Sequence, residues 1–261
     1  QRSPQARMLT EALPGVPGVQ VNGSGRVTLP EGYGHGLAER QVFPVPAGLE
    51  ALVSTAPTGS RALKGQITGP VTLALNVHLA DGRMAAEDPA VCEALAGYVA
   101  WAAAAQERVL MAGGRRTLMF IDEPDLSRGS DDPRLGPERC AVLVRQALSR
   151  LAGPVGVHCC AQPDFDFLTG LPLHVISFDA YRFGSLLAAP PAERFLSGGG
   201  WFAWGSVPAE ANRLQGETAA SLADRLRALW DRLAREGVSG KRLSSQALIT
   251  PYYHGAAGAL G

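Results

Sequence analysis

The stretch "VGVHCC", residues 155–160, sets an imidazole and two thiols at three consecutive positions. Side chains on a strand alternate between its faces, so His158 and Cys160 share one face while Cys159 turns away with Val157. The doublet then divides into one small core residue and one sulfur able to act beside the histidine. A His-x-Cys pair at a strand end offers nitrogen and sulfur, two of the three or four ligands that a catalytic zinc requires. The same residues also read as a buried histidine beside core thiols, since cysteine packs well as a small apolar group. Asp179 ends the next strand, where it either brings an oxygen to the same ion or caps the following helix. His254 follows the last strand in "LITPYYHGAAG" and is a further ligand candidate, with Tyr252 and Tyr253 as alternatives at that place.

Other polar groups collect at strand ends. "FIDEP" supplies Asp122 and Glu123. Lys64 and Gln66 in "KGQITGP" share a strand face and line the mouth of a pocket, where the lysine would steer an anionic substrate. Cys92 and Cys140 fall in helical stretches and read as structural. Trp201 and Trp204 read as packing.

The elements that must position these groups follow from periodicity. "VQVNGSGRVTL" is a hairpin around Asn22 and Gly23. "ALKGQITGPVTLAL" is a buried strand leading into a Gly-Pro turn. "EDPAVCEALAGYVAWAAAAQERVLMAGG" is a long helix with Asp88 as N-cap, Pro89 in the first turn and Gly113 as its stop. "TLMFIDEP", "VGVHCC", "HVISFDAY", "WFAWGSV" and "QALIT" are strands, with the helices "GPERCAVLVRQALSRLAG" and "ETAASLADRLRALWDRLAREG" among them. Strands alternating with helices specify parallel βαβ units. No glycine-rich phosphate loop follows any strand, which disfavours a nucleotide-binding sheet. Polar groups drawn from several strand ends suit the mouth of a barrel.

Composition narrows the classes. The 261 residues are 46% hydrophobic and 18% charged, and 24 basic residues balance 24 acidic ones. Nucleic acid and anionic membrane are therefore poor partners for this chain. Neither a membrane-length apolar run nor a basic-then-apolar leader is visible, and the expectation is a cytoplasmic protein. Four cysteines at uneven spacing do not make a disulfide framework.

Taken in order, "KGQITGPVTLAL", "MFIDEPDLS", "GVHCC", "VISFDAY", "AWGSVPAE" and "LITP" resemble the catalytic barrel of cobalamin-independent methionine synthase, in the superfamily that includes uroporphyrinogen decarboxylase. They cover roughly residues 64–254, and the chain is most similar to short, single-barrel relatives of that synthase. The resemblance implies an α/β fold, a (β/α)8 TIM barrel incomplete at both chain ends, with residues 1–261 as one catalytic domain that includes the hairpin around residues 19–29. A first strand is expected before residue 1 and a final helix after Gly261. It implies a zinc ion (Zn2+) held by His158 and Cys160, which are then the catalytic pair, and by Asp179 where the synthases carry glutamate. The family's last ligand, a cysteine after the Thr-Pro turn, is replaced in "TPYYHG" by His254, by Tyr253 or by an open position. Asp122 matches the residue that clamps the amino group of homocysteine, with Glu123 beside it. The second clamp carboxylate of the family falls at Thr10, with Glu11 one place on. The family's Asp-x-His-Ser string is replaced by "AWGSVPAE". The implied activity is zinc-dependent transfer of a methyl group from a folate or corrinoid donor to a small thiol such as homocysteine. The implied partners are that thiol and the donor, a methylfolate or a methylated corrinoid protein. Two alternatives accompany this reading. One is a metal-free, uroporphyrinogen-decarboxylase-like enzyme, which would need arginines for a carboxylated substrate. The other is a non-catalytic barrel that binds a thiol or corrinoid.

Overall fold

A computed structural model describes residues 4–13, 15–34 and 45–252. The described chain divides into two compact units, with the division after Val155.

The first unit runs α1 (Pro4–Ala12), β1 (Gln20–Val21), β2 (Val27–Thr28), α2 (Ala47–Thr55), β3 (Ala62–Thr68), α3 (Pro70–Asn76), β4 (Val77–His78), α4 (Pro89–Met111), β5 (Arg116–Asp122), α5 (Leu126–Asp131) and α6 (Gly136–Leu148). β1 and β2 form the expected antiparallel hairpin, and β2 continues in parallel to β4. The turn is longer than an Asn-Gly pair. Asn22 Oδ1 accepts bonds from Ser24 N and Arg26 N, and the left-handed residue is Gly25 at φ 85° rather than Gly23. Asp88 caps α4 by accepting from Ala90 N and Val91 N, as the sequence predicts. Gly69-Pro70 opens α3 rather than making a simple turn, with proline in the first helical turn where its missing N–H costs nothing.

β3 and β5 pair in parallel, with Lys64 opposite Leu118, Gln66 opposite Phe120 and Thr68 opposite Asp122. These residues share one face. Leu63, Ile67, Met119 and Ile121 occupy the other face and are buried. Gly65 leaves room for that packing: a Cβ there would stand 2.5 Å from Met119 Sδ and 2.9 Å from Leu110 Cδ1 of α4.

The second unit runs β6 (Val155–Cys159), α7 (Phe165–Thr169), β7 (Val175–Phe178), α8 (Ala180–Phe183), α9 (Ala189–Ser197), β8 (Trp201–Pro208), α10 (Ala211–Leu214), α11 (Ala219–Arg235), α12 (Gly240–Ser245) and β9 (Ala247–Tyr252). β6, β7, β8 and β9 are consecutive neighbours and all parallel. The register sets His158, Ser177 and Ala203 side by side on one face, and Cys159, Phe178 and Trp204 on the other. That second face is the core. Phe178, Phe202 and Trp204 meet one another with ring centroids 5.3–6.0 Å apart, and Phe165, Phe195 and Trp230 add further rings around them.

Parallel strands joined through helices recur in both units, the arrangement from which TIM-like barrels are built. Among the described residues, neither unit by itself closes a ring of strands.

Candidate functional site

The strand β6 answers why two cysteines stand together. Val157 and Cys159 are sealed in the core while His158 between them is half-buried. Cys159 Sγ donates to Ala161 O at 3.7 Å. Cys160 lies one residue beyond the strand and is half-buried; none of the four cysteines is in a disulfide. His158 stands in register with Ser177 of β7, and the pair shares a hydrogen bond of 2.9 Å between Nδ1 and Oγ. With Nδ1 engaged by the hydroxyl, any metal or proton chemistry of this ring passes through Nε2.

Asp179 follows β7 directly and is completely buried. Its Oδ1 accepts from Arg182 N at 2.9 Å and so caps α8, while Arg182 Nε stands 3.9 Å from Oδ2. Burial raises its carboxyl to about 6, with the Arg182 amide and guanidinium pulling the other way. Gly205 of β8 makes this crowding possible, because a Cβ there would lie 2.6 Å from Phe178 O and 3.0 Å from Tyr252 Cβ. Of the two roles open to Asp179, the cap is realised.

The donor chemistry of His158 and Cys160 fits zinc: an imidazole oriented through its other nitrogen, and a thiol on the same segment. Among the described residues, however, no group of three or more His, Cys, Asp or Glu side chains gathers at one place where an ion would be held. His254 and Tyr253, the expected final ligands, lie outside the described residues.

In the first unit the two pocket-mouth residues, Lys64 and Gln66, join Asp122, the expected amine clamp, in one chain. Lys64 Nζ donates to Gln66 Oε1, and Gln66 Nε2 donates to Asp122 Oδ2 at 2.9 Å. The ammonium also rides 4.9 Å from the centroid of Phe120. Burial pushes the Asp122 carboxyl up to about 6, opposed by the charge of Lys64. Burial lowers the Lys64 ammonium, opposed by Asp122. Gln66 thus holds one oxygen of a strand-end carboxylate, the arrangement that presents such a group to a cationic ligand.

Glu123 does something other than bind substrate. It is fully buried and accepts from Val71 N at 2.9 Å, Thr72 N at 2.8 Å and Thr72 Oγ1 at 2.7 Å. These bonds satisfy the first amides of α3, which no intrahelical carbonyl can reach. Gly69 makes the approach possible, since a Cβ there would lie 2.2 Å from Glu123 Cδ. Burial raises the Glu123 carboxyl to about 7 against the pull of those three bonds. Glu11 sits exposed on α1, with Thr10 half-buried beside it. Sequence reasoning missed Ser177, because strand register, which it could not supply, is what sets that hydroxyl opposite His158. It also missed Thr72 as the partner of Glu123, although "GPVT" after a strand is a helix-start signal.

No protein-family model matches the chain, and no curated protein does. Among solved structures it is similar to a B12-independent methionine synthase from Shewanella sp. W3-18-1, determined in complex with selenomethionine. The TM-score is 0.51 at 17% sequence identity, over 72% of this chain and 54% of that one. The chain therefore spans about half the length of that synthase. No helix among the described residues is long and apolar enough to cross a membrane. The likeness establishes a related fold, and what the strand ends of this chain do with it rests on their own residues.

Proposed function

We propose that the chain is a zinc-dependent methyltransferase, moving a methyl group from a folate or corrinoid donor to a small thiol such as homocysteine. The observation that carries this reading is the His158-x-Cys160 pair closing a parallel strand, with the imidazole held through Nδ1 by Ser177, on a fold similar to that of a methionine synthase. His158 and Cys160 would supply nitrogen and sulfur to the ion. Asp179, whose carboxylate caps α8, and His254 would complete the set. Zinc, when bound there, would keep an acceptor thiol deprotonated at neutral pH. The residues of the chain do the rest. In the first unit Asp122, held by Gln66 and with the charge of Lys64 nearby, is the candidate for binding an ammonium group. Ser177 fixes the ring of His158.

The experiment is a methyl-transfer assay with homocysteine and, in separate arms, methyltetrahydrofolate and methylcobalamin as donors. The reading expects thioether formation with at least one donor and its loss in Cys160→Ser. No turnover with either donor, in protein that carries zinc, would leave a non-catalytic binder instead.

A further inference from the structure

The second unit contains a cavity of about 380 Å³ between α8 and the turn after it on one side and α11 on the other. Its volume lies in the range of small-molecule sites. Leu222, Leu226 and Leu229 of α11 form an apolar wall. Three arginines, Arg182, Arg225 and Arg232, also line it, and no aspartate or glutamate does. Three guanidiniums around an apolar space, with the neutralising carboxylates kept out of the lining, favour an anion with a hydrocarbon body.

Two local features point to a ligand there. The first is Ser206. The pairing of β8 with β9 slips between Gly205 and Val207, so Ser206 is the extra residue of a β-bulge. Bulges re-aim side chains and are frequent beside functional sites. Ser206 lines the cavity and is only 8% exposed. The second is Arg225. Its guanidinium lies over the ring of Tyr181, 4.9 Å from the centroid, and among the described residues it pairs through Nε with Glu217 Oε1 at 3.0 Å. Glu217 is held below the usual carboxylate range by hydrogen bonds from Ser221 and Tyr181, so it stays charged and keeps Arg225 in place. Arg232, by contrast, is consumed by the fold, donating to Leu187 O at 2.8 Å and pairing with Glu236.

We propose that this cavity binds a small organic anion, its carboxylate or phosphate taken by the terminal nitrogens of Arg225 and the hydroxyl of Ser206, its apolar body against Leu222, Leu226 and Leu229. The lining includes neither His158 nor Cys160, although its Arg182 reaches Asp179 Oδ2 at 3.9 Å. The proposal does not depend on methyl transfer.

Calorimetric titration of the full chain, with no methyl donor present, tests it. The probes are hexanoate and hexyl phosphate, with hexanol and hexylamine as controls. At least one anion is expected to bind about tenfold or more tighter than both controls, and the tighter of the two identifies the headgroup. Arg225→Gln, which removes the charge, and Leu226→Trp, which fills the cavity, are each expected to weaken it about tenfold while circular dichroism and the melting temperature stay unchanged. Equal binding of hexanol, undiminished binding in a folded Leu226→Trp protein, or no binding of either anion at millimolar concentration would overturn the proposal.

Discussion

Two strand ends in this molecule carry a doublet, Asp122-Glu123 after β5 and Cys159-Cys160 after β6, and each doublet is split. At β5 the second member is consumed: Glu123 is sealed onto the first turn of α3, while Asp122 is half-buried and joined only through Gln66 to Lys64. At β6 it is the first member: Cys159 is 1% exposed among core rings, while Cys160 remains half-buried beyond the strand. At β6 strand alternation makes the division, and at β5 the first turn of α3 makes it. Identical or near-identical adjacent residues are therefore no guide to a doubled function. One of each pair holds the fold, and the other is the member to which the proposed function gives a ligand.

The largest expected effect falls on the scaffold member at β5. Glu123→Ala would orphan two buried amides and a buried hydroxyl, and should cost about 3 kcal/mol or more of stability, read as a lower denaturant midpoint. Asp122→Asn should not lower the midpoint at neutral pH, since it removes a buried charge, while weakening amino-thiol binding. Comparable losses in both variants would erase the distinction drawn between them.

At β6 the order is reversed. Cys159→Ser places a hydroxyl in a packed core and should destabilise by about 1–2 kcal/mol. Cys160→Ser should alter stability by no more than about 0.5 kcal/mol but lower zinc content. Equal destabilisation in urea titrations would mean that both sulfurs are core.

A pH profile sharpens the role of Asp122. Its carboxyl is raised from 3.8 to about 6 by burial, so it is protonated below that pH and charged above it. Attraction for an ammonium ligand should therefore fall as pH drops through about 6, and Asp122→Asn should flatten that limb. The stability sign is opposite to that of a salt-bridged carboxylate. The folded state binds the extra proton between 3.8 and about 6, so this group takes away stability as pH rises through that window.

Ser177 is read in zinc affinity rather than in stability. Ser177→Ala leaves the donor atoms of His158 in place but frees the ring to turn, and zinc affinity should fall about 10- to 100-fold, the usual range for the partner of a ligating histidine. Ser177→Thr should restore part of it. Unchanged affinity in Ser177→Ala would show that the hydrogen bond is packing alone.

Much of this was legible in the residues. The alternation of "VHCC" foretold which cysteine is core, and Asp88-Pro89 marked the start of α4, because both signals are local. The Asn-Gly turn was placed too early, since the side chain of Asn22 draws the loop on to Gly25. Glu123 could not be told from Asp122, because its partners lie 51 and 52 residues away in α3. The arginines of the α8–α11 cavity escaped notice for a like reason. They come from helices rather than strand ends, so a search along the strands passes over them.

The measurement that bears most directly on the proposed function is the zinc content of the purified full chain by elemental analysis. The account expects about one zinc per chain, retained through dialysis and lost in the His158→Ala/Cys160→Ala double variant with secondary structure intact. Wild-type protein that takes up no zinc, or a double variant that holds it as firmly, would contradict the assignment of His158 and Cys160 to a metal.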